Sequence, residues 1–278
     1  MTEPATSPQP GAEAPRAEQA PDAILEVRGV VKRFGGVAAI DGAAFAVRRG
    51  SITALIGPNG AGKTTLFNVV TGFQRGDAGD VVYDGRSVFG RPAYALARRG
   101  MVRTFQITKA LTAMPVIDNM TLAAPRQPGE RILTLLARAP AARRREREVL
   151  VRAHELLETF GLREHADAYA GTLSGGQRKL LELARVLMAE PRLVLLDEPM
   201  AGVNPTLGAR LLDHMHALRE RDGMTFLFIE HDMDVVMGHS DRIVVMAEGK
   251  VIAEGDPAAV RADQRVIDAY LGSPGGTR

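Results

Sequence analysis

The chain contains no cysteine. That excludes disulfide staples and thiolate zinc sites, and it suits a reducing compartment. No apolar run approaches the roughly 18 residues that a bilayer-spanning helix needs. Met1 to Asp22 is rich in Ala, Pro and Glu, without the basic start or apolar centre of a secretory signal. The expectation is a protein that stays in the cytosol and meets a membrane only through a partner. Charge of one sign is also scarce. Formal net charge is +2 over 278 residues, so the overall balance gives no argument for nucleic-acid binding. No internal repeat is visible. What is present is ordinary globular composition, 45% hydrophobic and 24% charged, in a length that suits one large domain or two modest ones.

Against that plain background one stretch stands out: Gly57-Pro58-Asn59-Gly60-Ala61-Gly62-Lys63-Thr64-Thr65. It fits the pattern G-x-x-x-x-G-K-[ST]. It follows an apolar run, Ile52 to Ile56, that reads as a buried strand, and precedes Leu66 to Val70, which reads as a helix. Glycines let successive backbone N–H groups face one concavity and keep side chains out of the way of a phosphate. The helix that follows adds its positive dipole end. Lys63 brings a cation to the terminal phosphates, and the Thr64 hydroxyl can sit on Mg²⁺.

The rest of the chain organises around this loop. Residues 1–22 offer too little apolar surface to offset ordering and read as a disordered tail. Ile24 to Val30, Phe45 to Val47, Ile52 to Ile56 and Asp80 to Tyr83 read as strands. Helical signals dominate from about Pro92 to Glu190, with Arg143 to Phe160 and Leu180 to Met188 the clearest. Leu193 to Leu196 and Thr225 to Ile229 return to apolar strands, and their alternation with a helix argues for a parallel α/β sheet. Ile243 to Met246 and Lys250 to Ala253 read as a hairpin around Glu248-Gly249, and Pro257 to Leu271 as a terminal helix.

Three further motifs bear on chemistry. Leu173-Ser174-Gly175-Gly176-Gln177 opens a helix. Ser174 serves as an N-cap there, but capping leaves two glycines at a helix start unexplained. Close approach of the backbone to a phosphate would explain them. Leu193 to Pro199 is a strand ending in Asp197 and Glu198. At the carboxyl end of a strand in an open α/β sheet, Asp197 can hold Mg²⁺ and Glu198 can act on water as a general base. Alone, the pair is equally a solvated acidic loop. His231 follows the strand Thr225 to Ile229 at its carboxyl end. Such a histidine is either structural or a phosphate contact.

Taken in order, these motifs resemble the ATP-binding subunit of an ABC transporter over about residues 24–272. Gly57 to Thr64 matches the Walker A loop, and Leu173 to Gln177 the ABC signature. Asp197 and Glu198 match the Walker B aspartate and catalytic glutamate, Gln106 the Q-loop glutamine and His231 the switch histidine. Phe34 falls where the family stacks an aromatic ring on adenine. The segment Met200-Ala201-Gly202-Val203-Asn204 replaces the common Ser-Ala-Leu-Asp, and resembles the larger, LivG-like, of the two ATPases of branched-chain amino acid importers. Arg103-Thr104-Phe105-Gln106, Val266 to Gly272 and the long stretch Pro125 to Arg147 support that subfamily. Asn204 in place of aspartate puts the family's cross-dimer contact at that position in doubt. ATPases of urea and amide importers and of a lipopolysaccharide exporter are related alternatives.

The resemblance implies an α/β P-loop core with an antiparallel β subdomain and a helical subdomain inserted at 99–171. It divides the single domain 23–272 into 23–98 and 172–257, the β subdomain and core, and the terminal helix 258–272, with a tail at 273–278. It implies ATP and Mg²⁺, bound on one face by Phe34, Gly57, Pro58, Asn59, Gly60, Ala61, Gly62, Lys63, Thr64 and Thr65. Thr64, Gln106 and Asp197 would serve the metal, while Glu198, His231, Gln106 and Lys63 would serve hydrolysis. Ser174, Gly175, Gly176 and Gln177 would complete the site of an opposing subunit. Implied partners are two transmembrane permeases, a second ATP-binding subunit and, indirectly, an extracytoplasmic substrate-binding protein, with no nucleic acid. The place implied is the cytoplasmic face of the inner membrane, held peripherally.

Ile107, Leu111, Met114, Val116, Ile117 and Met120 are dense enough to form either a permease-docking surface or the insertion's own core. Arg143 to Glu148 reads as an exposed mixed-charge helix face, with anionic lipid as the alternative contact. His154, His165, His214, His216 and His239 lack the company of a metal site. A ribosomal ATPase would carry two nucleotide domains, a DNA-repair ATPase a long heptad coiled coil, and a non-catalytic binding module would lack Glu198 or His231.

Overall fold

The computed structural model describes residues 22–104, 111–125 and 139–271. Two sheets carry the architecture. β1 (Ala23–Phe34), β2 (Val37–Arg48), β4 (Ala78–Tyr83) and β5 (Arg86–Ser87) form an antiparallel sheet in the order β2-β1-β4-β5. The second sheet runs β10-β9-β3-β8-β7-β6, built from β3 (Ile52–Ile56), β6 (Met101–Arg103), β7 (Leu193–Asp197), β8 (Thr225–Ile229), β9 (Arg242–Ala247) and β10 (Lys250–Gly255). Its neighbours are parallel except β9 and β10, which pair antiparallel.

The central strands β3, β7, β8 and β9 of the second sheet are buried on both faces, as their continuous apolar runs require. Phe226, Phe228, Val194, Leu196, Ile52 and Ile56 point to one side. There they meet α5 (Gly175–Met188), α6 (Pro205–Asp222) and α8 (Pro257–Ala262). Leu55, Leu193, Leu195, Leu227 and Ile229 point to the other, against α1 (Lys63–Val70) and the antiparallel sheet. Helices α3 (Val116–Leu122), α4 (Ala139–Thr159) and α5 pack on one another to one side. The remaining α-helices among the described residues are α2 (Ala93–Ala97), α7 (Met233–His239) and α9 (Gln264–Leu271), with short 3-10 turns at Arg163–His165 and Ala170–Thr172.

Three elements depart from the sequence expectation. β2 begins at Val37, eight residues before the predicted strand, because full-length pairing with β1 recruits Ala- and Gly-rich sequence of poor intrinsic β preference. The helical stretch read from Pro92 is interrupted by β6, whose three residues are too few to show a period and are held by pairing with β7. The terminal helix breaks at Asp263, whose carboxylate accepts the Arg265 N–H while its extended backbone ends α8. This is a local capping bond competing with helix continuation.

The dense apolar residues after position 110 also divide. Val116 and Met120 are fully buried in the core with α4 and α5, Met114 and Ile117 are half-buried, and Leu111 is exposed. Ile107 lies outside the described residues. The docking reading is therefore corrected for Val116 and Met120, which serve the helices' own packing. Arg144 pairs with Glu148 one turn on, at an exposed face.

Asn119 joins these helices to the segment before them. It is fully buried, accepts the Leu111 N–H through Oδ1 at 2.9 Å, and donates through Nδ2 to the carbonyls of Leu111 and Pro115. Asn119→Ala strands those backbone groups in the interior. The expected loss is about 2–3 kcal/mol of stability, read by chemical denaturation.

Candidate nucleotide-binding and hydrolysis site

β3, β8 and β7 are neighbours, and their register sets their carboxyl ends level. Leu55 of β3 and Asp197 of β7 both pair with Ile229 of β8. Three loops therefore leave the sheet side by side: Gly57 to Gly62 after β3, Asp197 and Glu198 at the end of β7, and Glu230-His231 after β8. Parallel sheets place ligands at this edge.

The loop after β3 is held by close backbone approach. Gly57 has φ +149°, and a Cβ there would lie 2.0 Å from the Met246 carbonyl oxygen. Gly62 has φ +96°, and its Cβ would lie 2.2 Å from the carbonyl oxygen of Ala39 in β2. Neither place admits a side chain, so both sheets grip the loop through main chain alone. Ala61 accepts from the Gly249 N–H at 3.1 Å, and Gly249 accepts from Asp41 N–H at 2.9 Å. Gly62 also caps α1 without a side-chain hydrogen bond. The first-turn N–H groups thus have no side-chain acceptor, which is the arrangement that suits an anion.

Lys63 is 6% exposed, and its ammonium donates to the carbonyls of Gly57 at 2.7 Å and Pro58 at 3.0 Å. Burial pulls its pKa below the usual lysine range, while the Glu198 and Asp197 carboxylates oppose that fall. Thr64, Asn59 and Gly60 are exposed, and Pro58 and Thr65 are half-buried. Phe34 stands at the end of β1 with 49% of its surface open, and Lys32 approaches its ring at 5.5 Å.

Asp197 is buried and accepts from Arg103 at 2.6 Å. Glu198, with φ +49°, is one of four non-glycine residues in the left-handed region among the described residues. Such a backbone costs of order 1–3 kcal/mol and gathers at functional sites. Its N–H donates to Ile229 at 3.0 Å, and its Oε1 accepts from His231 Nε2 at 2.6 Å. Glu198 and His231 thus meet as the motif order suggests. Gln106 lies outside the described residues.

Ser174 and Gln177 form a reciprocal cap: Gln177 N–H donates to Ser174 Oγ at 3.2 Å, and Ser174 N–H to Gln177 Oε1 at 2.9 Å. A Cβ on Gly176 would lie 1.8 Å from Leu207 Cδ2, whereas the nearest neighbour of one on Gly175 is at 4.0 Å. Packing therefore already gives Gly176 a reason within the chain, and the phosphate argument bears chiefly on Gly175. Asn204 accepts the Leu207 N–H at 2.9 Å and caps α6.

Sequence reasoning missed two residues that hold the loop after Asp197. Buried Glu230 accepts from Met200 N–H at 2.7 Å and His231 N–H at 3.2 Å. Burial pushes its carboxyl pKa up, and those hydrogen bonds oppose the rise. Lys179 of α5 donates to the carbonyls of Pro199, at 3.1 Å, and Ala201. A carboxylate next to the strand-end histidine was visible in sequence; Lys179 on a helix carried no signal.

Among the described residues no cluster of three acidic, histidine or cysteine side chains could cage a metal by itself. Thr64 and Asp197 nevertheless offer the hard oxygen donors that suit Mg²⁺, an ion that takes few protein ligands beside substrate phosphates. No described helix is long and apolar enough to cross a membrane.

Gly62→Ala is expected to weaken nucleotide binding by about 5- to 150-fold, since the loop or β2 must shift to admit the Cβ, at a cost of roughly 1–3 kcal/mol. Calorimetric titration checks this.

The geometry has close parallels. Residues 40–201, more than half of the chain, match the family model described as ABC transporter. Residues 250–275 match the model described as branched-chain amino acid ATP-binding cassette transporter. The chain is 43% identical over 249 residues to the high-affinity branched-chain amino acid transport ATP-binding protein BraF of Pseudomonas aeruginosa, covering 90% of this chain and 98% of that one. It is 41% identical to the Escherichia coli protein LivG of the same description, with the same coverage. A nucleotide-free ATP-binding cassette from an ABC transporter superposes with TM-score 0.77 at 38% identity, covering 90% of this chain and all of that one. The ADP conformation of MJ1267, another such cassette, gives 0.76 at 36%. A phosphate loop, a strand-end acidic pair and a histidine brought level by strand register, in a chain so matched, belong to the ABC transporter family: this is an ATP-binding subunit that couples ATP hydrolysis to transport.

Proposed function

We propose that the chain powers import of branched-chain or other hydrophobic amino acids, as the ATPase of a complex with two permeases and a second ATP-binding subunit. The observation that carries this is the identity of 41–43% to transport subunits of that description over nearly their full length, together with the matching C-terminal segment.

The residue roles follow from the chemistry at the strand ends. Lys63, now bonded to its own loop, turns to the β- and γ-phosphates, whose oxygens are better acceptors than peptide carbonyls. The loop amides and the first turn of α1 hold the phosphates, and Phe34 stacks on the adenine. Thr64, Asp197 and Gln106 would hold Mg²⁺, which when bound would neutralise charge on the phosphate oxygens. Glu198 orients water for in-line attack and takes its proton; His231 releases Glu198 and contacts the γ-phosphate. Ser174, Gly175, Gly176 and Gln177 serve the site of the opposing subunit, so that ATP joins two chains and hydrolysis parts them. The exposed apolar residues Leu122, at the end of α3, and Leu111, in the segment before that helix, mark the surface where a cytoplasmic loop of a permease would dock. That docking holds the chain at the inner face of the membrane.

Glu198→Gln is expected to retain ATP binding and to lower turnover at least a hundredfold, the scale of general-base catalysis. Wild-type turnover in that variant would remove Glu198 from the mechanism. The same variant, purified from its native membranes with ATP and Mg²⁺, should bring down two multi-span permeases and a shorter ATPase. Uptake assays with the accompanying binding protein then identify the cargo. Transport of urea, an amide or lipopolysaccharide instead would overturn the amino-acid assignment.

A further inference from the structure

Arg103 occupies a place that packing alone does not account for. It ends β6, at the edge next to β7, with a side chain only 7% exposed. One arm of its guanidinium donates to Asp197 Oδ2 at 2.6 Å, and the other to Oδ1 of Asn68 in α1 at 2.6 Å. Phe67 and Phe73 face the group at 5.7 and 5.8 Å. Its Nε is buried and has no hydrogen-bond partner among the described residues. A buried ion pair with an orphaned donor is a poor stabiliser, and apolar residues of similar volume often serve as well or better. Something other than stability therefore favours an arginine here.

Its geometry supplies that reason. Asn68 lies one helical turn beyond Thr64, and Asp197 ends the strand two places across the sheet from β3. We infer that Arg103 is a positioning residue for ATP hydrolysis: its planar fork braces the Asp197 carboxylate against α1, commits Oδ2, and leaves Oδ1 to the metal. This rests on the assignment of Asp197 to Mg²⁺. Lysine is a poor replacement, because its one ammonium nitrogen must reach both acceptors from a single point, whereas the guanidinium spreads them over two nitrogens of a rigid plane.

The inference makes a prediction opposite to that of charge alone. Removing a cation from beside a metal-binding carboxylate would, by Coulomb attraction only, strengthen Mg²⁺ binding. Removing a brace weakens it. The test uses the full chain carrying Glu198→Gln, so that ATP persists, and titrates ATP calorimetrically in EDTA and at rising Mg²⁺. Arg103→Met and Arg103→Lys should leave affinity in EDTA unchanged and reduce the gain from Mg²⁺ by about tenfold or more, the scale seen when supports of metal ligands are lost. Asn68→Leu, which keeps the ion pair but removes the second anchor, should shift the gain in the same direction by less. If Arg103→Met does not fold, the other two variants carry the test. Asp197→Asn is the reference. Should it leave the Mg²⁺ gain intact, the metal assignment itself is wrong. Should it abolish the gain while the Arg103 and Asn68 variants keep or increase it, the positioning role is wrong.

Discussion

The shared register of β3, β8 and β7 is the constraint on which the rest of the structure depends. One residue of β8, Ile229, faces both Leu55 and Asp197. A phosphate loop, an acidic pair and a histidine that are far apart in sequence therefore leave the sheet at one level. Parallel strands with both faces buried allow little slippage, because a one-residue shift would reverse every buried side chain. The apolar runs of these strands thus fix the chemistry as well as the core. The antiparallel sheet adds to this by pressing its backbone against Gly62, so the loop's shape is set by two sheets at once.

A second theme is the placement of charge in a dry interior. Lys63, Lys179, Glu230, Asp197 and Arg103 all lie at or near the strand ends, and burial works against the charged forms of Lys63, Lys179 and Glu230. Each is held by hydrogen bonds that would be costly to leave unmade. Lys179 and Glu230 fasten the segment after Asp197 from two sides, which supports the left-handed backbone of Glu198. The helix that opens at Ser174 and the loop that carries Glu198 are thereby tied together through Lys179. Asn204, unusual for its family position, keeps a structural task as the cap of α6.

Much of the fold was legible because the parallel strands are continuous apolar runs bounded by glycine and charge. That the loop after β3, the acidic pair and His231 leave one sheet edge was legible because each follows an apolar run at its carboxyl end. What escaped had a tertiary cause. β6 exists only as a partner of β7, and the first half of β2 only as a partner of β1. Val116 and Met120 looked equally suited to a core or a docking surface, since apolarity does not say which neighbour covers it. Gly176 suggested a phosphate when Leu207, thirty-one positions away in sequence, also claims the space. Arg103 was noticed only as part of a subfamily motif; its contact with Asp197 depends on the sheet order.

The central claim is that the site is composite, completed by the signature turn of a second subunit. The most direct measurement is a structure of Glu198→Gln with ATP and Mg²⁺, in the assembled complex. The account predicts ATP between two ATP-binding chains, its phosphates on the loop around Lys63 and its γ-phosphate met by a signature serine across the interface. ATP held wholly within one chain, with Ser174 still closed on Gln177 and remote from any nucleotide, would contradict it.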